Sequence, residues 1–197
     1  MTLKILLIDS QVERAEALER SLASAGFSSV TRIAAGSDLI DAVELLSADL
    51  VVIDMALPDR DALEGIRQLS ARMPRPVVMF SDEDDPAFVE QAIRAGVCSY
   101  NLSGVAARDI KPIVMSAIAL FRRYREVESE LAETRAQLGE RRLIERAKAV
   151  LMRARKMNEP QAYGWLRSKA MSQNRKVVHV ARDLLAREGP DKTGGTS

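Results

Sequence analysis

The chain has 197 residues, 47% hydrophobic and 29% charged, the profile of a globular protein with apolar side chains for one large core or two modest ones. One cysteine, Cys98, and one histidine, His179, exclude a disulfide framework and a Cys/His metal site. No apolar run reaches the ~18 residues that span a bilayer or reads as a secretory leader, so a reducing cytoplasm is the expected location.

The formal net charge of +1 hides a division. Residues 140–188 carry thirteen Lys/Arg against five Asp/Glu, a local +8, which leaves the rest of the chain at −7. Through the first 110 residues short apolar runs alternate with amphipathic segments. KILLID (4–9), SVTRIA (29–34), DLVVIDM (49–55), PVVMFS (76–81) and SYNL (99–102) read as strands. Segments with helical period lie between them over Val12–Ala25, Asp38–Leu46, Ala62–Arg72 and Pro86–Ala95. The last is opened by Asp85 as N-cap with Pro86 behind it and is closed by Gly96. This alternation predicts an α/β fold for 1–110, a doubly wound five-stranded parallel sheet with its crevice beyond the carboxyl ends of the strands. Asp9, Asp54, Ser81 and Ser103 end or follow four of those strands and converge there.

From Ile113 the period changes. Ile113, Ala117, Leu120, Tyr124, Val127, Leu131, Thr134 and Leu138 are spaced alternately four and three apart, an a/d seam that predicts a coiled-coil helix over 111–139 and, through 113–138, a homodimer. Gly139 is expected to interrupt it. The next stretch, RRLIERAKAVLMRARKM, places Leu143, Ile144, Ala147, Val150, Leu151 and Ala154 on one face of a helix. Arg141, Arg142, Arg146, Lys148, Arg153, Arg155 and Lys156 take the remainder. Asn158 with Gln161 reads as a capping box for a helix over Glu159–Met171, with Pro160 in its first turn. Ser172 is the expected cap of a third helix over Gln173–Arg187. The region 140–188 is thus an all-α three-helix domain, and the tail 189–197 is expected to be disordered.

Lysine and arginine neutralise phosphates, and RNA readout adds stacking of loop bases on aromatic or guanidinium planes. Arg141, Arg142, Arg146, Lys148, Arg153, Arg175 and Lys176 are candidates for the first role. Tyr163 and Arg167, four apart on one helix, are candidates for the second, with Met152 on the basic side of its helix. Cys98 and Trp165 read as core residues. One histidine and scattered hydroxyls build no nucleophile, base and orienter, so no enzyme is expected.

LLID, VVIDMALPDRD, MFS and AGVCSY together resemble a response-regulator receiver domain. The resemblance implies that Asp54 is the phosphoacceptor, Asp9 a ligand of Mg²⁺ together with Asp54, and Ser81 a phosphate-contacting hydroxyl. Two departures weaken that site. Ser10 stands where receivers carry a second acid, and Ser103 where they carry a lysine, so the metal loses a ligand and the phosphoryl its ammonium. Lys111-Pro112 lies too far along to replace it. Asp82, Glu83, Asp84 and Asp85 add negative charge beside the crevice.

Ala147-Lys148-Ala149, Leu151-Met152, Glu159, Ala162-Tyr163, Leu166-Arg167, Ala170-Met171 and Val180-Ala181, in that order, resemble the ANTAR domain, a three-helix RNA-binding module. Ala149 stands where that family generally has glycine. Receiver, coiled coil and ANTAR together resemble the AmiR/NasT family of transcription antiterminators, and PRPVVMFSDEDDPAFVEQAIRAGVCSYNLSGVAARDIKPIV resembles its NasT branch. The resemblance implies binding to paired stem-loops in a leader transcript of nitrate or nitrite assimilation genes. It also implies sequestration by a nitrate sensor of the NasS type. Two alternatives stay open: a two-component output switched at Asp54, and a coiled-coil module that meets an acidic protein. A helix-turn-helix reading of 158–187 offers only Asn174, Arg175 and Lys176 to DNA.

Overall fold

The computed structural model describes residues 3–187, which places the expected disordered tail outside the described residues. The chain divides between Glu126 and Val127 into two compact units. The first holds β1 (Lys4–Asp9), α1 (Val12–Ser24), β2 (Ser29–Ala34), α2 (Leu39–Leu46), β3 (Leu50–Asp54), α3 (Arg60–Arg72), β4 (Val77–Ser81), α4 (Pro86–Ala95) and β5 (Ser99–Leu102). Every strand pair is parallel, in the order β2-β1-β3-β4-β5.

Strands buried on both faces need apolar residues at every position, and the continuous runs of β1, β3 and β4 supply them. Alternate side chains go to opposite faces. Leu6, Ile8, Val51, Ile53, Val77 and Met79 pack against Val43 of α2, Leu63, Ile66 and Leu69 of α3, and Ala92 of α4. Ile5, Leu7, Leu50, Val52, Val78 and Phe80 face Ala15, Leu18 and Leu22 of α1. That second face is completed by Ile110, Val114, Ala117 and Ile118, the start of the long helix α5 (Ala107–Arg155). Asp38, Asp59 and Asp85 cap α2, α3 and α4 with their carboxylates.

Gly139 does not interrupt the helix. It lies inside α5, exposed, with nothing within 4 Å of where a β-carbon would stand. A glycine there costs a helix about 1 kcal/mol against alanine, too little to end a run flanked by Ala, Gln, Leu, Glu and Arg. The heptad seam is divided instead by burial. Ile113 and Ala117 belong to the receiver core, whereas Leu120, Tyr124, Val127, Leu131 and Leu138 remain exposed. The free seam therefore starts at Leu120.

In the second unit the C-terminal part of α5 packs with α6 (Glu159–Ser172) and α7 (Val177–Arg187) around Ala147, Leu151, Ala162, Leu166, Ala170, Val180 and Ala181. The Asn158 and Gln161 capping box forms in both directions, each bond 2.9 Å. Ser172 does not cap the third helix. Its hydroxyl donates back to the Lys169 carbonyl at 2.9 Å inside α6, and the chain turns through Asn174 at φ 50°, so that α7 begins only at Val177.

Two glycines test this account in opposite directions. Gly96, at φ 122° in the turn from α4 to β5, leaves a β-carbon no room beside the Ser70 side chain; Gly96→Ala should lower stability by about 1–3 kcal/mol. Gly139→Ala should raise it by about 0.5–1 kcal/mol. Urea unfolding of both variants checks the pair.

Candidate functional site

The register that pairs β1 with β3 sets Asp9 beside Asp54 at their carboxyl ends. Both are 6% exposed, and Ser81, at the end of β4, is fully buried. The Ser81 hydroxyl donates to the Ala56 carbonyl at 3.2 Å and accepts from the Glu83 N–H at 3.1 Å, which fixes the loop after β4. Tyr100 holds the same loop, its hydroxyl donating to the Glu83 carbonyl at 2.8 Å while its ring meets Phe88 edge-on. Ser10 is exposed and lines a different hollow, with Ala35, Gly36 and Leu57. The structure thus gathers Asp9, Asp54, Ser81 and Ser103, and leaves Ser10 outside.

The group that completes the pocket is Arg14, in the first turn of α1. Its guanidinium reaches Asp54 Oδ1 at 2.5 Å, the Ser103 hydroxyl at 2.5 Å and Asp82 Oδ2 at 2.7 Å. Burial alone lowers the Arg14 pKa, but the bonds to Asp54 and Asp82 outweigh it and raise the value above the usual one. Ser103 and Arg14 in turn hold the Asp82 carboxyl below its usual range. Arg14, Asp54 and Ser103, together with Leu18, Phe80, Val105 and Ile110, line a cavity of about 340 Å³. Sequence reasoning missed Arg14, although the loss of both an acid and a lysine signals that the charge balance of the pocket is met by some other residue.

Mg²⁺ fits this arrangement poorly. A hard divalent cation needs several oxygen ligands and their charge. Among the described residues no group of three or more His, Cys, Asp and Glu is placed to hold a metal. Of the two carboxylates at hand, Asp54 is already paired with a guanidinium. Asp9 accepts from the Gln11 N–H through Oδ1 and leaves Oδ2 buried without a hydrogen-bond partner. Burial pushes the Asp9 carboxyl above its usual range; the Gln11 N–H pulls it back, and the Asp54 charge pushes it up further.

In the second unit Arg141, Arg142, Arg146, Arg153, Arg167, Lys176, Met152 and Tyr163 are exposed. At 100° per residue, Arg142, Arg146 and Arg153 fall within about 40° of one another around α5, opposite the buried Ala147 and Leu151. Three other cations hold the module together. Lys148 is 7% exposed, its ammonium 2.6 Å from Glu159 Oε1 and 2.9 Å from Glu145 Oε1. Glu159 first and Glu145 second raise its pKa. Arg155 lies 4.6 Å over the Trp165 ring, and Arg175 pairs with Asp183 at 2.7 Å. The Lys148 bond ties α5 to the first turn of α6.

The raised folded pKa of Asp9 means that its ionised form destabilises the fold at every pH above the unfolded value. Asp9→Asn should therefore raise the Tm at neutral pH. The gain should shrink as pH falls through the carboxylate range, and thermal melts of both proteins across that range check it.

A response regulator receiver domain family model matches residues 5–111, and an ANTAR domain family model matches residues 132–185. The transcriptional regulatory protein PdtaR of Mycobacterium tuberculosis is 27% identical over 189 residues, covering 96% of this chain and 92% of that protein. The nitrate regulatory protein of Klebsiella oxytoca is 45% identical over 60 residues, 30% of this chain and 15% of that one. Among solved structures, a LuxR-family two-component response regulator from Aurantimonas is similar at TM-score 0.53 and 21% identity, covering 60% of this chain and 86% of that one. Chemotaxis protein CheY4 of Vibrio cholerae is similar at TM-score 0.53 and 15% identity, covering 59% of this chain and 99% of that one. These two likenesses concern the fold of the first unit. The sheet order, the acidic pocket and the two matched domains lead to one assignment: the chain belongs to the response regulator family and carries an ANTAR domain behind its receiver.

Proposed function

We propose that the protein is an RNA-binding transcription antiterminator that grips paired stem-loops of a leader transcript through its ANTAR domain. The observation that carries this reading is the row Arg142, Arg146 and Arg153, exposed on α5 opposite the module's core, in a region of local charge +8. Arg141, Arg167 and Lys176 extend the positive surface, and Tyr163, 46% exposed four residues before Arg167, supplies a ring for an unstacked loop base. Lys148, held by two glutamates, is a brace of the module and contributes little to phosphate contact. The family supports the reading, since ANTAR domains bind RNA.

Two finer parts belong to the same proposal. The transcript is that of nitrate or nitrite assimilation genes, with a nitrate-sensing protein of the NasS type sequestering the regulator; the short 45% match to a nitrate regulatory protein supports this. Two stem-loops are met by two ANTAR modules in one homodimer, and the exposed seam of Leu120, Tyr124, Val127, Leu131 and Leu138 supports that pairing. Switching by phosphorylation at Asp54 is disfavoured by Ser10, Ser103 and the Arg14 pairing.

Titration of the full chain against a paired-hairpin RNA, a loop-scrambled control and duplex DNA at matched salt tests the function. Preference for intact hairpins is expected. Replacing Arg142, Arg146 and Arg153 by Ala should weaken binding and flatten the slope of log K against log salt by about two. Equal binding to all three nucleic acids, or an unchanged slope, overturns it. Polar substitution of Leu131 and Leu138 should yield a folded monomer that loses the avidity for paired hairpins; a monomer with undiminished affinity would sink the dimer.

A further inference from the structure

We propose that Arg14 is the resident cation of the receiver pocket: its guanidinium holds Asp54, Asp82 and Ser103 together and excludes a divalent metal from the carboxylates. The inference rests on the receiver geometry alone, so it stands or falls separately from the RNA reading.

Two buried carboxylates side by side need a positive charge nearby, because neither is solvated well enough to stay ionised cheaply. Measured against the receiver family, this chain lacks two charged groups at its strand ends. Ser10 replaces an acid, which cuts the charge available to a metal, and Ser103 replaces a lysine, which removes the ammonium. Arg14 answers both losses at once. One Nη meets Asp54 and Ser103, the other meets Asp82, so a single side chain contacts the last residue of β3 and the residues that follow β4 and β5. A guanidinium suits this position because it is planar, is always charged and directs several donors at fixed angles. It is also tethered by α1, and the Arg14 side chain is only 22% exposed.

The second observation is Asp9 Oδ2, buried and unpartnered beside Asp54. A divalent ion bridging the two carboxylates would satisfy that atom. With Asp54 Oδ1 taken by Arg14, an ion that shared the two carboxylates would have to displace the guanidinium first. Metal and guanidinium therefore compete for Asp54, and in this chain the guanidinium is covalently present at all times. The clamp also bears on the chain that follows. Ser103 sits in the connection from β5 to α5, so the same guanidinium that neutralises Asp54 positions the entry to the helix that ends in the ANTAR module.

The test is Mg²⁺ alone, titrated into the full chain, with binding read by calorimetry and Tm by differential scanning fluorimetry. The wild-type protein should show no Tm shift at millimolar Mg²⁺. Arg14→Ala, with its fold verified by circular dichroism, should bind Mg²⁺ about tenfold more tightly or better, and adding Asp9→Asn should abolish the gain. Arg14→Gln, which keeps hydrogen bonding without charge, should behave as Arg14→Ala, and Arg14→Lys should resemble the wild type. Wild-type binding equal to that of the uncharged variants, or a folded Arg14→Ala without the gain, overturns the proposal. A measurement without variants covers the case of poor folding: hindered rotation of the Arg14 guanidinium in NMR spectra of the wild type is expected, and free rotation refutes the clamp.

Discussion

A parallel sheet covered by helices on both faces can keep polar side chains only at its strand ends, and that constraint governs the first unit. Beyond the exposed Lys4 that opens β1, the strands β1, β3 and β4 are apolar until their last residues, which are Asp9, Asp54 and Ser81. The same burial that stabilises the sheet leaves two carboxylates adjacent in a poorly solvated place. Their compensation must come from whatever lies over the carboxyl ends, and here it comes from α1. Arg14 is thus a consequence of the fold's chemistry as much as of any function: without a cation near Asp54 the pocket holds like charges that repel.

The strands, the helices between them and two of the caps were legible in the sequence because their signals are local. Continuous β-branched runs mark buried strands, Asp38 and Asp85 mark helix starts, and Asn158 with Gln161 marks the capping box. The misreadings came where local and tertiary effects compete. Gly139 has the chemistry of a helix end but sits in a stretch of strong helix formers, and one glycine's cost is small beside the continuity on either side. Ser172 has the chemistry of a cap, yet its hydroxyl is taken within α6. Arg14 carried no local signal, because its partners lie forty and eighty-nine residues away. Lys148 carried a misleading one: on the helical wheel it borders the basic face, but packing of α6 brings Glu159 to it.

This sorting of cations refines the electrostatic argument. A local excess of +8 does not by itself say which cations face outward. In the folded module Lys148, Arg155 and Arg175 are held by Glu159, Trp165 and Asp183 and serve packing. The positive field available to the proposed RNA is concentrated in fewer residues, chiefly the α5 row. A row on one helix has its spacing set by the backbone, which a diffuse surface of the same charge lacks.

The continuity of α5 through Gly139 then links the two features of the second unit. Counted at 100° per residue from Arg142, the free seam of Val127, Leu131, Thr134 and Leu138 centres about 50° to one side, and the row Arg142, Arg146 and Arg153 centres about 20° to the other. The buried stripe of Ile144, Ala147 and Leu151 lies on the far side of the helix. A break at Gly139 would have left the relation of seam to row undefined. An unbroken helix fixes it, so two copies joined along the seam carry their arginine rows next to the line of contact. The proposed pairing and RNA contact would then share one side of one helix, while packing of α6 and α7 takes the other. In the proposed homodimer the heptad seam would set the spacing between the two basic rows as well as bring two modules together.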